Sequence, residues 1–392
     1  MLVNNITVGV DVYQLFPFPA TFTEKFMEVW EWKTDVHSSF NNTEQRECLR
    51  ENPRMTYEFS AWALRKDAAW FKNLVWSNIG GGWGLPMWHQ PQMLSSDLGS
   101  GETVITLADT QDFGNYLCFY IDDFNYQFRA ITSKTDTTIT LTTATNHKFL
   151  SGTPVYPVHL ARLEESQELK NITGNLLTSY CTFNCFSFAN PYKNLVTGDV
   201  VYKSLPVLEF VNNWSDGLTD KYELKVSVFD NELSNFIRDL EGASPTITKT
   251  FSWFLNGKDN LNYFKAWLAA RKGRLTPFWF PSQVRDFTYI SHSGFELIVD
   301  FCGYSYLTLE NSPREIRIEF MDGTVEYRHI ESVVKVGETE ELTVDVTLPV
   351  GDVRMISYLY LSRLDADRVE MVYQTNRFAT ASTPIRSLVY GE

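Results

Sequence analysis

Apolar and polar residues alternate over several short stretches of the chain, which is typical of half-buried β-strands. The alternation is clearest at residues 103–107 and at Glu315–Phe320. The pair Asp322-Gly323 follows the second stretch and is a strong signal for a tight hairpin turn. An aromatic share of 15% also favours strands. We therefore expect a mainly β protein.

Two other segments have the spacing of amphipathic helices. Apolar side chains recur on one helical face within about residues 67–79 and again within about residues 259–272. Each segment begins with an expected N-cap and ends before a glycine: Asp67 and Gly80 in the first, Asp259 and Gly273 in the second. The fold class that we predict is mainly β (α+β), with one helix in each half of the chain.

The two helices are part of an internal similarity that covers most of the chain. A gap-free alignment of the halves brings these residues together: Phe18 with Phe210, Val36 with Val228, Arg46 with Arg238, Pro53 with Pro245, and Lys66-Asp67 with Lys258-Asp259. Three later landmarks follow in the same order: residues 85–88 with 276–279, 128–131 with 327–330, and 160–164 with 361–365. Landmarks in a shared order favour an old duplication over coincidence.

The similarity predicts a tandem duplication of one β-sandwich-like module that carries one amphipathic helix. The first module is residues 1–195, with a small inserted β-barrel-like unit at about 100–160. The second, diverged copy is residues 196–392, with its inserted unit at about 290–358. The join falls near residues 189–197, where Asn-Pro and Thr-Gly-Asp favour turns.

Charge and cysteine content narrow the class of protein. The formal net charge is −14, and an acidic chain without a basic stripe argues against recognition of nucleic acid. The sequence has neither the pattern of a signal peptide nor a long apolar run, so we expect no membrane insertion. The five cysteines form no CxxC pair, so we expect reduced, mostly buried thiols. Cys181 and Cys185 suit either one helical turn or two inward positions of a strand.

The chain has few candidates for catalysis or metal binding. The six histidines have no metal-site spacing, and we expect turn or packing roles for all of them: His37, His89, His147, His159, His292 and His329. Residues 80–84 are rich in glycine but lack the ending of a phosphate-binding loop, so they are interpreted as a helix stop. Two acidic pairs, Asp122-Asp123 and Asp365 with Asp367, could in principle serve a glycosidase, and Asp122, Asp123 and Asn125 could hold calcium. We interpret all of them as solvated surface residues. We therefore predict no catalytic, cofactor-binding or metal-binding residues, no cofactor, and no enzyme.

Three tryptophans and three arginines remain to be placed. Trp76, Trp83 and Trp88 either pack in a core or interface, which we favour, or stack on sugar rings if they are exposed. The arginines would share one face if their segment were helical, and they would then either bridge to acidic neighbours at an interface or form local salt bridges: Arg46, Arg50 and Arg54.

Three segments together resemble the distal tail and tail-tip (baseplate) structural proteins of long-tailed, siphovirus-like phages. They are Trp30-Glu31-Trp32-Lys33-Thr34-Asp35-Val36 with the following Glu44-Gln45-Arg46 and Arg50-Glu51-Asn52-Pro53-Arg54, then Gly273-Arg274-Leu275-Thr276-Pro277-Phe278-Trp279-Phe280-Pro281, and finally Ser362-Arg363-Leu364-Asp365-Ala366-Asp367 with Val369-Glu370-Met371. The set spans most of the chain. The tandem copy departs from the many distal tail proteins that carry one such module.

The resemblance implies a structural virion protein of the phage tail, made in the cytoplasm of a bacterial host. Such a protein forms a ring or adaptor between the tail tube and the tip or hub, and its partners are those tail proteins and further copies of itself. A trimer of two-module chains would present six similar surfaces, and a hexameric ring is the other arrangement. The alternative functions are a receptor- or carbohydrate-binding tail protein and a tail-associated cell-wall hydrolase.

Overall fold

Within the part of the chain that the structure describes, strands, mostly antiparallel, predominate, and two α-helices accompany them. The computed structural model describes residues 5–8, 11–39, 42–187, 192, 198–230, 232, 236–240, 244–307 and 312–389. The mainly β class expected from the sequence is confirmed. Of the predicted join near residues 189–197, all but Tyr192 lies outside the described residues. Among these described residues no helix is long and apolar enough to cross a membrane.

The N-terminal half contains one helix and fourteen strands among its described residues. In chain order they are β1 (Ile6–Val8), β2 (Asp11–Leu15), β3 (Ala20–Thr21), β4 (Phe26–Ser38), β5 (Glu44–Leu64), α1 (Lys66–Asn78), β6 (Gly82–Pro86), β7 (Gln92–Met93), β8 (Val104–Thr106), β9 (Tyr116–Asp122), β10 (Asn125–Lys134), β11 (Thr138–Leu141), β12 (Pro154–Leu163), β13 (Lys170–Thr173) and β14 (Leu176–Ser187).

The described C-terminal half contains the second helix and the remaining strands. They are β15 (Val201–Tyr202), β16 (Leu205–Pro206), β17 (Asp220–Glu223), β18 (Val226–Phe229), β19 (Ile237–Leu240), β20 (Thr246–Asn256), α2 (Lys258–Arg271), β21 (Phe278–Pro281), β22 (Tyr289–Ser293), β23 (Glu296–Asp300), β24 (Glu315–Phe320), β25 (Val325–Val336), β26 (Thr339–Val344), β27 (Val353–Leu364), β28 (Arg368–Tyr373) and β29 (Phe378–Ser387).

The main sheet has the same strand order in both halves. In the N-terminal half β5 pairs with β14, β14 with β12, and β12 with β6, while α1 connects β5 to β6. In the C-terminal half β20, β29, β27 and β21 repeat these pairings, and α2 takes the place of α1. An outer strand completes each sheet: β13 beside β14, and β28 beside β29.

The register of the pairings also repeats. Phe59 lies opposite Cys181 on β14, and its counterpart Phe251 lies opposite Thr383 on β29. A backbone bond before each helix is repeated as well, from Arg65 N–H to the Asn175 carbonyl and from Gly257 N–H to the Arg377 carbonyl, at 2.8 Å in both. Because a slip of one residue would turn every side chain to the other face, this agreement specifies the residue-by-residue correspondence of the two halves.

Each half also carries a smaller β unit between its helix and its last strands. In the C-terminal half the pairings run β22-β23-β26-β25-β24-β27, and a bridge from Phe287 to Ile356 closes the ring. In the N-terminal half they run β8-β11-β10-β9-β12-β7. Both units contain a bulge at the same place, after Ile131 and after Ile330. Each encloses its own apolar core.

The start of each helix and the strand that follows it differ from the sequence-based predictions. The helices begin at Lys66 and Lys258, so the two predicted N-cap aspartates lie within the first turn instead. The alignment of Trp88 with Trp279 is wrong, because Leu160 pairs with Gly84 whereas its counterpart Leu361 pairs with Trp279. Gly84, not Trp88, therefore corresponds to Trp279. The alignment failed because the connection after α2 is longer than the one after α1.

Candidate functional site: the joint between the two halves

The two halves are joined edge to edge by a pair of antiparallel strands. Strand β4 of the N-terminal half pairs with β28 of the C-terminal half from Glu31 opposite Arg368 to Phe26 opposite Tyr373. The result is one continuous sheet in the order β13-β14-β5-β4-β28-β29-β20-β17. We call this contact, with the helix and side chains that cover it, the joint.

An ion pair without solvent access lies at the centre of the joint. Lys265 of α2 places its Nζ 2.7 Å from Oε2 of Glu28 on β4, and both side chains are 1% exposed. The Glu28 carboxylate also accepts hydrogen bonds from Tyr373 Oη at 2.8 Å and from Trp30 Nε1 at 2.8 Å. His89 Nε2 lies 3.3 Å from the same carboxylate. Because a charge is costly to bury unless it is paired, Lys265 and Glu28 have to meet in this arrangement when the two halves pack together.

The environment of the ion pair determines its protonation. Burial alone would raise the pKa of Glu28, but the charge of Lys265 and the hydrogen bonds to the carboxylate outweigh it and hold that pKa well below its usual range. Burial lowers the pKa of His89, so this imidazole is neutral near pH 7. Burial first, and then the negative charge of Glu28, raises the pKa of the Tyr373 phenol. Glu28 is therefore ionised while its neighbours donate to it, which suits a structural role.

Further polar contacts lie on both sides of the central pair. Lys258, at the start of α2, contacts Asp109 and Asp112 of the N-terminal half at 2.6 and 2.9 Å. Arg363 of β27 holds both carboxylate oxygens of Glu44, at 2.6 and 2.8 Å, with both side chains buried. Such two-pronged contacts combine energy with geometric specificity. The joint therefore has a unique alignment.

The three segments that resemble tail proteins meet at the joint. Thr34, in the first segment, donates its backbone N–H to Asp367 Oδ2 at 2.8 Å. Arg274, in the second, donates its backbone N–H to Oδ1 of the same carboxylate at 3.0 Å. Gly273 has φ +66, and a Cβ there would collide with Asp367. These segments, far apart in the sequence, are thus required for one contact.

A cavity of about 230 Å³ adjoins the central pair, lined in part by His89, Asp112, Lys258, Leu261 and Lys265. Both lysines in its lining are already engaged: Lys265 with Glu28, and Lys258 with the two aspartates. The two lysines that line the cavity therefore serve the contact between the halves.

The candidate residues from the sequence do not gather into a chemical site. Asp122 caps the β9–β10 hairpin by accepting from the backbone of Phe124 and Asn125 at 2.8 and 2.9 Å. Asp365 pairs with Arg363 at 2.7 Å, and Asp367 belongs to the joint. Among the described residues there is no group of three or more histidine, cysteine or carboxylate side chains that could hold a metal ion.

The histidines, cysteines and arginines occupy separate places. His89 lies in the joint, and His292 bonds to Tyr289 at 2.9 Å. Cys181 and Cys185 are buried on strand β14, which settles the choice between helix and strand. The arginines at 46, 50 and 54 are on β5, not on a helix.

The tryptophans separate into two environments. Trp83 is fully buried and Trp88 is 4% exposed, and both belong to the central core. Trp76, on α1, is 90% exposed. The favoured packing interpretation therefore describes Trp83 and Trp88 but not the exposed Trp76 within this chain.

Sequence reasoning did not single out the residues of the central pair. Neither Glu28 in its alternating strand nor Lys265 in its helix has a motif, and only their contact across the two halves reveals them. One feature of the sequence could have indicated Lys265. It lies between Leu261 and Leu268 on an otherwise apolar helix face, where a lysine would be buried and would need a partner of opposite charge. In comparisons with known proteins, no family model and no curated protein matches this chain.

Proposed function

We propose that this chain is a structural, non-enzymatic protein of a phage tail, which forms a ring or adaptor between the tail tube and the tip. The observation that carries the proposal is the joint: two halves of one chain with the same strand order associate edge to edge in a head-to-tail manner, as duplication of one module would produce. Such heterologous contacts generate rings when they close. A ring subunit needs no pocket, only surfaces that fit.

The resemblance supports the same function through the location of its segments. All three lie at the joint, where Thr34, Arg274 and Asp367 are connected by hydrogen bonds. In a protein that works by assembly, residues that recur for structural reasons should lie at contacts between modules. Proposed partners are the tail tube on one side and the tip or hub on the other.

The test is the location and copy number of the chain in purified phage particles. Quantitative mass spectrometry against the tube protein should give three or six copies per tail, and cryo-electron microscopy should place them in a ring between tube and tip. One or two copies per particle, or absence from particles, would contradict the proposal. Loss of turbidity of a peptidoglycan suspension on addition of the chain would favour a cell-wall hydrolase instead.

A further inference from the structure

Each half of the chain has one sheet edge that is unpaired, although the equivalent edge of the other half is paired in the joint. The joint uses the β4 edge of the N-terminal half and the β28 edge of the C-terminal half. Their counterparts are β17 of the C-terminal half and β13 of the N-terminal half. Among the described residues β17 pairs only with β20, and β13 only with β14, so both keep a free edge. Free edges of this kind are templates for pairing with another chain.

The correspondence between β4 and β17 is given by register. Glu28 lies opposite Tyr57 on β5, and Asp220 lies opposite Lys249 at the equivalent position of β20. Further along, Val36 lies opposite Arg46 as Val228 lies opposite Arg238. The strand edge that joins the halves is therefore present again, unoccupied, at the far side of the C-terminal half.

Burial differs sharply between the used and the unused copies of this strand. Trp30 and Trp32, which the joint covers, are 0% and 1% exposed. Their counterparts Tyr222 and Leu224 are 62% and 40% exposed. Apolar exposure continues along the adjoining hairpin at Val228, Phe229, Phe236, Ile237 and Leu240, which are 53–67% exposed. These apolar side chains lie on both faces of the hairpin, and such an amount of exposed apolar surface beside a free strand edge is typical of an interaction surface.

The helices show the same contrast. In α2 the face formed by Leu261, Lys265 and Leu268 is buried, and its lysine contacts β4. The equivalent face of α1 consists of Ala69, Asn73 and Trp76, all of them exposed. These positions share one side of a helix because they are spaced by four and three residues. Trp76 is 90% exposed, whereas its counterpart Leu268 is fully buried.

We infer that these unused faces bind one another in a second copy of this chain. Strand β13 of one chain adds antiparallel to β17 of the next, and α1 of the first chain packs on β17 of the second, as α2 contacts Glu28 of β4 within the chain. The register of the joint then places Lys170 opposite Thr219, as Val372 lies opposite Met27. This inference deepens the proposed function and rests on it, because it supplies the contact that closes three chains into a ring of six modules.

A cysteine cross-link tests the register directly. The full-length chain with Cys48→Ser and Cys302→Ser removes the two thiols that are not buried. Adding Lys170→Cys and Thr219→Cys should give disulfide-linked species that end at three chains on a non-reducing gel, because directly opposed strand residues are close enough to bridge. The matched control, Val372→Cys with Met27→Cys, should form the same bond within one chain and leave its mass unchanged.

A second variant tests the helix without altering the strand edge. Trp76→Ala should weaken association by a factor on the order of 30 or more, the effect of truncating a central interface tryptophan, and leave the thermal unfolding of the single chain unchanged. Met321→Ala is the control, since Met321 is 71% exposed in a different region. Mass photometry over a concentration series measures both.

The outcomes separate this inference from the proposed function. A cross-linked series that ends at three chains, and its loss in Trp76→Ala, supports the inference. No linkage between chains when the control bond forms overturns the pairing, and a series that ends at another number overturns the three-chain ring. Neither result depends on whether the chain is found in phage tails, because that is measured on particles.

Discussion

Replacing Lys265 should destabilise the whole protein far more than a surface ion-pair residue would. In Lys265→Met the Glu28 carboxylate stays in the joint with the hydrogen bonds from Tyr373 and Trp30 but without its counter-charge. Removing one partner of a buried pair costs about 3–5 kcal/mol of unfolding free energy. Replacing an exposed ion-pair residue costs about 0–1 kcal/mol.

The double variant separates charge from packing. Glu28→Gln together with Lys265→Met removes both charges. The glutamine oxygen can accept from Trp30 Nε1, and its amide N–H can donate to the Tyr373 hydroxyl, which accepts as well as donates. Since an apolar or neutral replacement of a whole buried pair is often close to neutral, the double variant should recover most of the loss. Urea denaturation followed by tryptophan fluorescence measures both variants at one pH. Glu28→Gln alone completes the set. If the double variant loses as much as Glu28→Gln and Lys265→Met added together, the reasoning about an uncompensated charge is wrong.

The same pair predicts the direction of a pH effect. The pKa of Glu28 in the folded chain is held below its unfolded value of about 4.3. A group of this kind contributes stability above the unfolded pKa and loses that contribution as the pH falls below it toward the folded pKa. Unfolding free energy in the wild type should therefore decrease below about pH 4, and the double variant should show a smaller decrease. Equal acid sensitivity of the two proteins would exclude Glu28 as a source.

Three further predictions concern single positions. Trp83→Ala should lower the unfolding free energy by about 3–5 kcal/mol, because it empties a fully buried site. Gly273→Ala should reduce the melting temperature more than Gly323→Ala, since both have positive φ but only the first would collide with a neighbour, Asp367. Three thiols should react with a thiol reagent only after unfolding, because burial raises the pKa of each: Cys118, Cys181 and Cys185. Reaction in the native state would show that the core opens locally.

The elements with a local signal could be predicted from the sequence. Glu315–Phe320 is a strand with the predicted bounds, and the turn at Asp322-Gly323 joins it to the next strand, with Gly323 at φ +89. Alternation and turn chemistry depend on neighbours in sequence, so they can be read directly. The helices were expected within one residue of their observed bounds for the same reason.

The contacts between distant parts of the chain could not be predicted in this way. Nothing in the pattern of residues 26–38 says that their outer edge meets residues 368–373, because strand partners are chosen by packing rather than by local preference. The alignment of Trp88 with Trp279 failed for a related reason: a short motif was matched across a loop of changed length, whereas strand register identifies Gly84 as the counterpart.

Comparison of the two halves shows which positions serve the joint and which serve the fold. Phe18 contacts Phe71 with ring centroids 4.5 Å apart, and the equivalent Phe210 stacks on Tyr263 at 5.3 Å, so the contact between strand and helix is kept as aromatic packing. The joint positions differ in chemistry instead, as the change from Lys265 to Asn73 shows. A contact within one chain never has to form from separated subunits, so it can contain a buried ion pair with a unique alignment. A contact between chains has to desolvate its groups at each encounter, which favours a neutral amide and an exposed aromatic ring at the same positions.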